Sequence, residues 1–365
     1  MNPKIKLLVG ITEFDMSGAP KLAADIINNL DRNKYELALL SFFQPKDDNN
    51  FFDLLPGNLK NYRLNFKGFC DIKNWLETCR ILREYRPDII LSNLFFSNTV
   101  LRALKPFFGY KVIIYEHNTY TKKKKWQIMA DKIFSYFTYK IVAVSETVKL
   151  FTADQEKINQ NKFAVIPDAI DYSDIQAKIK NYNKDDLKEK LGFKKEDKFI
   201  INVAKLWPQK NHKLLIDGFA EFIKRNSGYK LIILGQGPML DFLTGYVKEL
   251  NLEDKIFLLG RKKNVFEYMF ISEFFVLTSK IEGFAIACIE AMSLGLPVVS
   301  TKVAGPDEYV IDGLNGYLVE GDKEDVSRKM QEIAGRGQAY FSENCKVTAQ
   351  KYDIKENIRK LEVLL

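Results

Sequence analysis

The sequence predicts an α/β fold built from two doubly wound parallel sheets in tandem. Short apolar runs rich in β-formers recur along the whole chain, and most are bounded by Gly, Pro, Asn, Asp or Ser. Segments with helical spacing lie between these runs. The same alternation occurs twice, on either side of the polar stretch NYNKDDLKEK. Regular alternation of strand and helix is typical of parallel sheets covered by helices on both faces, so we expect two Rossmann-like domains.

The predicted elements follow one another in a regular order. Between the strands, helical spacing is clearest in APKLAADIINNL, KNWLETCRILREY, KLLIDGFAEFIKRN and EDVSRKMQEIAG. The predicted strands are KIKLLVGI, YELALLSFF, DIILSNL, KVIIYEHN, KIVAVS and FAVIPD in the first half, and FIINVAKL, KLIILGQG, KIFLLGR, EFFVLTS, LPVVSTKV and GYLVE in the second.

The domain boundary is expected where the sixth run ends at a proline. We place the linker around Asp168 to Ser173, which gives an N-terminal domain at residues 1–170 and a C-terminal domain at 171–341. Residues from about 342 to 365 are predicted as one terminal helix, broken or kinked near Tyr352 and Asp353, that packs back on the first domain.

Composition excludes several classes of protein. At 365 residues and 46% hydrophobic content the chain can bury two cores, yet no apolar run approaches the roughly 18 residues of a spanning helix. No export signal is recognisable at the N-terminus. The four cysteines have no CxxC spacing and fit a reducing cytoplasm, and with two histidines a zinc site is not expected.

The positive charge is concentrated in the first half. Residues 1–170 have 25 Lys and Arg against 18 Asp and Glu, a net charge of +7, whereas the remainder has +1. A basic half beside a neutral half suggests a domain that meets an anionic surface, either a membrane or a nucleic acid. A merely solubilising lysine surface remains the alternative.

Candidate site residues follow the strands, because doubly wound sheets bind ligands at the carboxyl ends of their strands. Two such domains would form the site in a cleft between them. Gly18 opens the first helix, where free amides suit an anion, and His117 follows the fourth strand. Lys205 and Lys210 follow the first strand of the second half and can neutralise a diphosphate. A turn glycine, a surface histidine and solvated lysines remain the alternatives.

The stretch KIEGFAIACIEAMSLGLPVV carries two glutamates that need an explanation. Glu282 stands in a glycine turn after a strand, and Glu290 stands inside the apolar helix that follows. A buried carboxylate is costly unless a protein group or a ligand pairs with it. The helix amides around Phe284 to Ile286 are expected to point into the cleft.

The order of these motifs resembles the GT-B retaining glycosyltransferases, in particular glycosyltransferase family 4. In the first half the resemblance is limited to SGAP, EHN and VAVSE. In the second it covers most of Phe199 to Glu320, through VAKLWPQKNHKLLIDGF, LIILGQGP, IFLLGR, EGFAIACIEAMSLGLPVVST and GPDEYVIDGLNGYLV.

The resemblance implies a role for each candidate. Glu290 would accept hydrogen bonds from the nucleotide ribose, and Glu282 would orient the hydroxyls of the donor sugar. Lys205 and Lys210 would neutralise the diphosphate, although an arginine is usual where Lys205 stands. His117 would touch the donor sugar or the reaction centre, so the implied catalytic set is His117, Glu282 and Lys210. The implied donor-binding set is Gly18, Lys205, Lys210, Phe284, Ala285, Ile286 and Glu290, with Ala285 standing where the family often has glycine.

The implied reaction is transfer of a hexose from a nucleotide-sugar, with a UDP-sugar favoured, to a glycan or lipid-linked acceptor. It would retain configuration and use neither a metal nor a cofactor. Surface polysaccharide, lipopolysaccharide or glycolipid synthesis are the expected settings. A sugar-nucleotide epimerase or hydrolase of the same fold and a basic nucleic-acid-binding protein are the alternatives, and a nucleic-acid partner is not expected. Assay with donor alone would distinguish the first, and oligonucleotide binding the second.

The stretch YTKKKKWQIMADKIFSYFTY suggests where the acceptor is met. A lysine run beside an aromatic-rich helix is typical of an interfacial membrane contact. We therefore expect a peripheral enzyme on the cytoplasmic face of an anionic membrane, although a core-facing helix with a solvated lysine loop would give the same pattern. The residues assigned to this contact are Lys122, Lys123, Lys124, Lys125 and Trp126.

Overall fold

The computed structural model describes residues 3–45 and 50–365. The chain divides into two compact units, and the division falls between Ala169 and Ile170. The first unit comprises Met1–Ala169 and Ile354–Leu365, and the second comprises Ile170–Asp353. Within the described residues, no helix is long and apolar enough to cross a membrane.

The first unit contains one parallel sheet with helices between its strands. Its strands are β1 (Ile5–Glu13), β2 (Tyr35–Phe43), β3 (Lys60–Arg63), β4 (Ile89–Asn93), β5 (Lys111–Glu116), β6 (Lys140–Ala143) and β7 (Phe163–Val165). Its helices before the unit boundary are α1 (Gly18–Asn29), α2 (Ile72–Tyr85), α3 (Phe95–Phe108), α4 (Lys125–Ser135) and α5 (Glu146–Glu156).

The strand order in this sheet is β3-β2-β1-β4-β5-β6-β7, and neighbouring strands are parallel. β1 pairs with β2 on one side and β4 on the other, so the strand order reverses there. Helices cover both faces of such a central strand, which is why Leu7 and Leu8, whose side chains point to opposite faces, are both fully buried. The reversal places the carboxyl ends of β1 and β4 where a doubly wound sheet binds ligands.

The second unit repeats this arrangement. Its strands are β8 (Lys198–Val203), β9 (Tyr229–Leu234), β10 (Ile256–Leu258), β11 (Ser272–Leu277), β12 (Val298–Thr301) and β13 (Gly316–Val319). Its helices are α6 (Tyr172–Ile179), α7 (Lys184–Lys190), α8 (His212–Ile223), α9 (Leu240–Glu249), α10 (Val265–Phe270), α11 (Ile286–Ser293), α12 (Pro306–Tyr309), α13 (Lys323–Arg336) and α14 (Gln338–Gln350).

The second sheet is also parallel and has the order β10-β9-β8-β11-β12-β13. Its strand order reverses between β8 and β11. The loops after these two strands carry Lys205, Lys210 and Glu282. The predicted α/β architecture of two doubly wound sheets is confirmed.

The C-terminal tail forms two helices, and the break that the sequence predicted near Tyr352 and Asp353 separates them. α14 already begins at Gln338 and belongs to the second unit. The last helix, α15 (Ile354–Glu362), returns to the first unit, where Ile354 and Leu361 are fully buried in its core. The break lies at residues 351–353, where the chain changes units.

Candidate active site

Two predicted site residues meet at the carboxyl end of the second sheet. The Nζ atom of Lys210 lies 2.5 Å from Oε1 of Glu282, whose side chain is only 8% exposed. The hydroxyl of Ser279 also donates to Oε1 of Glu282, at 2.6 Å. A charged partner and a hydrogen bond together offset the cost of burying a carboxylate. The partners that offset the burial of Glu282 are therefore groups of the protein itself.

The loop that carries Lys210 is fixed to the end of β11. Asn211 adopts a left-handed conformation with φ 52° and ψ 43°, which asparagine tolerates better than most residues. The amide of Lys280 donates to the carbonyl of Gln209 at 2.8 Å. The hydroxyl of Thr278 donates to the carbonyl of Asn211 at 3.1 Å. These bonds hold the lysine beside Glu282.

Helix α11 begins four residues after Glu282 and supplies backbone donors at the same strand ends. Its first residue is Ile286, and Ala285 precedes it in a left-handed conformation with φ 60° and ψ 60°. Amides in the first turn of a helix have no acceptor within the helix. Phe284 is buried, whereas Glu290 is half-buried in the second turn. The two glutamates therefore differ in burial, because Glu282 is buried in the loop and Glu290 is half-buried in α11.

Lys205 lies two residues beyond β8 and is half-buried. The glycine turn LGQGP packs directly against the loop that carries it. A Cβ added to Gly235 would come within 1.9 Å of the carbonyl oxygen of Ala204. Glycine at this position therefore permits close approach of two backbones, which accounts for a turn that the sequence left without a role.

His117 lies at the carboxyl end of β5 in the first unit. Its Nε2 atom lies 2.9 Å from Oδ1 of Asn93, at the end of β4, and its ring stacks on Tyr115 at 5.6 Å. Burial lowers the pKa of His117 to about 4, so the imidazole is neutral at physiological pH. Nδ1 lies 3.8 Å from a carboxylate oxygen of Asp168. Sequence reasoning missed Asp168, because an acid after a proline is indistinguishable from an ordinary linker residue.

Gly18, predicted as part of the donor site, is the first residue of α1 and is exposed. A Cβ at this position would meet no atom within 4 Å. Packing within the protein therefore does not require glycine at this position.

The lysine run does not form one exposed patch. Lys122, Lys124 and Lys125 are exposed, as predicted, and the side chain of Trp126 is 52% exposed. The assignment of Lys123 to a membrane or acceptor contact is wrong, because its side chain is only 6% exposed.

Lys123 lies in a buried ion-pair cluster. It forms salt bridges with Asp131 of α4, at 2.9 Å, and with Glu156 of α5. Glu116, at the end of β5, lies 3.8 Å away, and Arg102 of α3 pairs with the same Asp131. Burial alone would lower the pKa of Lys123, but the surrounding carboxylates raise it. Lys123 therefore joins three elements of the first unit.

Two family models match the chain side by side. The model described as Glycosyltransferase Family 4 matches residues 16–174, and that described as Glycosyl transferases group 1 matches residues 183–352. The fold and these matches define a GT-B glycosyltransferase. The chain is a family 4-like glycosyltransferase, as its motifs suggested.

Characterised relatives and a solved structure show what the chain is similar to. It is 24% identical over 325 residues, covering 84% of this chain and 81% of the relative, to the UDP-Gal:alpha-D-GlcNAc-diphosphoundecaprenol alpha-1,3-galactosyltransferase of Escherichia coli. It is 42% identical over 130 residues, 35% of each protein, to an N-acetylgalactosaminyltransferase of Campylobacter jejuni named for a diphospho-undecaprenol acceptor. The crystal structure of Anabaena HepE in complex with UDP-glucose superimposes with a TM-score of 0.83 at 20% identity, covering 99% of both chains.

Proposed function

We propose that this glycosyltransferase moves a hexose from a UDP-sugar to a lipid-linked or glycan acceptor, with retention of configuration and without a metal. The observation that carries the proposal is the Lys210–Glu282 pair, which lies beside the start of α11. The Escherichia coli relative is named for a UDP-sugar and a diphosphoundecaprenol acceptor, and the Campylobacter relative for an acceptor of the same kind. Assembly of surface polysaccharide, lipopolysaccharide or glycolipid is the corresponding role.

The chemistry requires stabilisation of a leaving nucleoside diphosphate. Negative charge grows on the phosphate as its bond to the sugar breaks, and fixed cations and amides stabilise this charge. An ammonium group has three hydrogens, so Lys210 can contact a phosphate while it remains bonded to Glu282. The amides of Ala285 and Ile286 add donors, and Lys205 adds a second cation. In this proposal these groups supply the charge stabilisation for which other enzymes use a metal.

The acidic residues would bind the sugar nucleotide. Glu282 is fixed by Lys210 and Ser279, and a carboxylate has about four lone-pair positions, so it can also accept bonds from sugar hydroxyls. Glu290 would accept bonds from the ribose. Asn93 fixes the ring of His117, which belongs to the first unit and would act near the sugar rather than the nucleotide.

We further propose that the first unit docks on the cytoplasmic face of an anionic membrane. α4 exposes a large apolar surface instead of burying it in the core, and α2 adds exposed Ile72 and Leu76. Phe69, just before α2, contacts Trp126 with ring centroids 6.3 Å apart, which joins the two surfaces. The exposed side chains of α4 are Trp126, Met129 and Ile133, continued by Tyr136 and Phe137.

The test is product analysis with a panel of nucleotide-sugars. The protein is incubated with each donor alone and with an undecaprenyl-diphosphate-linked sugar, both with and without EDTA. The proposal expects transfer that requires the acceptor, survives EDTA and gives a product with the donor's anomeric configuration. Consumption of donor without acceptor would indicate the epimerase or hydrolase instead. Loss of activity in EDTA would contradict the metal-free mechanism, and an inverted product would contradict retention.

A further inference from the structure

The turn before α11 contains an unusual residue for its backbone conformation. Ala285 has φ 60° and ψ 60°, in the left-handed region where a Cβ is strained and glycine is the usual choice. Something in the surrounding structure must hold this conformation. Ala285 separates Glu282 from α11, so its conformation fixes the direction in which the first helix amides point.

Tyr309, the last residue of α12, lies beneath this turn. Its hydroxyl lies 2.9 Å from the carbonyl oxygen of Phe284 and 3.1 Å from that of Ala285. The side chain is buried, and its ring also packs on Phe284 and Tyr352, with centroids 5.4 and 5.8 Å away. The two carbonyls share the single hydrogen of this phenol, and the carbonyl of Ala285 also accepts from the amide of Cys288 at 2.9 Å.

These contacts determine the orientation of the neighbouring amides. In a trans peptide the carbonyl of one residue and the amide of the next point in opposite directions. Because the carbonyls of Phe284 and Ala285 face Tyr309, the amides of Ala285 and Ile286 point away from it. These are the two amides to which the proposed function assigns the diphosphate.

The backbone before Tyr309 is packed against the same turn. A Cβ added to Gly305 would come within 2.3 Å of the carbonyl oxygen of Phe284 and 2.5 Å of its Cα. Gly305 also has φ 89°, so glycine satisfies both the close approach and the backbone conformation. This contact sets the start of α12 and thereby the position of Tyr309.

We propose that Tyr309 is a positioning residue of the donor site: its hydroxyl holds the left-handed turn at Ala285, so that the amides of Ala285 and Ile286 face the leaving diphosphate. The inference rests on the proposed function for its ligand, although the link between Tyr309 and Ala285 is a property of the fold. A hydroxyl that only satisfied buried carbonyls would contribute to stability and not to ligand affinity.

The experiment is a double-mutant cycle with Tyr309→Phe and Ala285→Gly, measured as UDP affinity by calorimetry and as unfolding in urea. Tyr309→Phe alone should weaken UDP binding about tenfold, the size of one hydrogen bond. Glycine adopts the left-handed turn without strain, so the same substitution should cost less than about threefold when Ala285 is glycine. The two substitutions should also be non-additive in their effect on the urea midpoint, with Tyr309→Phe costing less stability when residue 285 is glycine.

The control is Tyr317→Phe, which removes another buried hydroxyl of the second unit; this hydroxyl lies beside Glu332 and makes no bond to the turn before α11. It should leave UDP affinity unchanged. Equal UDP affinity of the wild type and Tyr309→Phe, or equal losses with alanine and glycine at 285, would overturn the inference. If the wild type bound none of UDP, GDP and dTDP, the proposed function would fail. The double-mutant cycle measured by unfolding in urea would then still test whether Tyr309 holds the turn. An absence of coupling between the two substitutions in that measurement would reject the inference independently.

Discussion

The Nδ1 atom of His117 lies 3.8 Å from Oδ1 of Asp168, and neither atom has a hydrogen-bond partner among the described residues. Asn93 donates through Nδ2 to the carbonyl of Gly10 at 3.3 Å, so it turns its oxygen toward Nε2 of His117. Nε2 must therefore carry the hydrogen, which leaves Nδ1 as an acceptor facing a carboxylate. At 3.8 Å the two atoms are too far apart for a hydrogen bond, so they face each other without sharing a proton.

Burial determines whether these two groups are charged. It raises the pKa of Asp168 from 3.8 to about 7, while it lowers that of His117 to about 4. The neutral forms, a protonated Asp168 and an uncharged imidazole, are therefore favoured together. An ion pair of the same two groups is disfavoured, because both charges would be buried.

Asp168→Asn should stabilise the protein in alkaline solution. An acid whose pKa is raised by folding contributes its full stability below pH 3.8 and loses it as the pH rises through about 7. Asparagine has no such loss, and its amide can donate to Nδ1. The gain in urea midpoint over the wild type should thus be larger at about pH 8 than at about pH 5. Asp154→Asn, at a side chain that is 85% exposed, is the control and should show no such trend. An equal gain at both pH values would contradict the assignment.

His117→Ala should reduce turnover more than nucleotide affinity. His117 lies in the first unit, whereas Lys210, Glu282 and Glu290 lie in the second. The measurements are the kcat for sugar transfer and the Kd for free UDP. A parallel loss of UDP affinity would place His117 at the nucleotide instead of the sugar.

Local sequence patterns were sufficient to predict most strands of both sheets. Parallel strands with both faces covered are continuous apolar runs, such as those of β1 and β8, and such runs are visible without tertiary information. The missed strand, β3, has the sequence KNYR and no buried residue. It is an edge strand whose pairing with β2 gives it its conformation, so its own composition carries no signal.

The site was predictable where a motif has a fixed place after a strand, as for Lys210 and Glu282. It was not predictable where long-range contacts decide the environment. Lys123 looks like its neighbours in the run, and only the fold shows that Glu156, 33 residues away, neutralises it. Tyr309 was missed for the same reason, because its hydroxyl acts on a turn 24 residues earlier in the chain.

Lys123→Met should destabilise the first unit strongly. The substitution would leave the buried carboxylates of Asp131 and Glu156 without this cation. Breaking a buried ion pair from one side costs about 3–5 kcal/mol. The measurement is the free energy of unfolding in urea. Lys122→Met, at the exposed neighbour, is the matched control and should stay within about 0.5 kcal/mol of the wild type. Similar values for both variants would show that the cluster contributes little.

Lys210→Ala and Glu290→Ala should abolish donor binding or turnover while the fold remains intact. Lys210 would lose its phosphate contact and Glu290 its ribose contact, and both side chains lie outside the core. Lys213→Ala removes a half-exposed lysine three residues from Lys210 and is the control. The measurements are UDP affinity, turnover and circular dichroism. Near-wild-type activity of either site variant would exclude that residue from the donor site.

Membrane binding should depend on three of the four lysines in the run. Lys122, Lys124 and Lys125 are exposed just before or at the start of α4, whose apolar side chains are also exposed. A lysine near an anionic surface contributes about 1 kcal/mol, and this attraction is screened by salt. The apolar side chains would add binding by insertion at the interface.

In liposome co-sedimentation the wild type should bind anionic vesicles but not neutral ones, and high salt should release it. Replacing Lys122, Lys124 and Lys125 with Glu should abolish binding, because the charge near the lipid is reversed while the buried Lys123 cluster stays intact. The control replaces three exposed lysines of the second unit, Lys180, Lys248 and Lys351, with Glu. It therefore changes the net charge by the same amount. If both triple variants lost binding equally, overall charge and not this surface would be responsible. If the wild type stayed in the supernatant with both kinds of vesicle, the proposed membrane surface would be rejected.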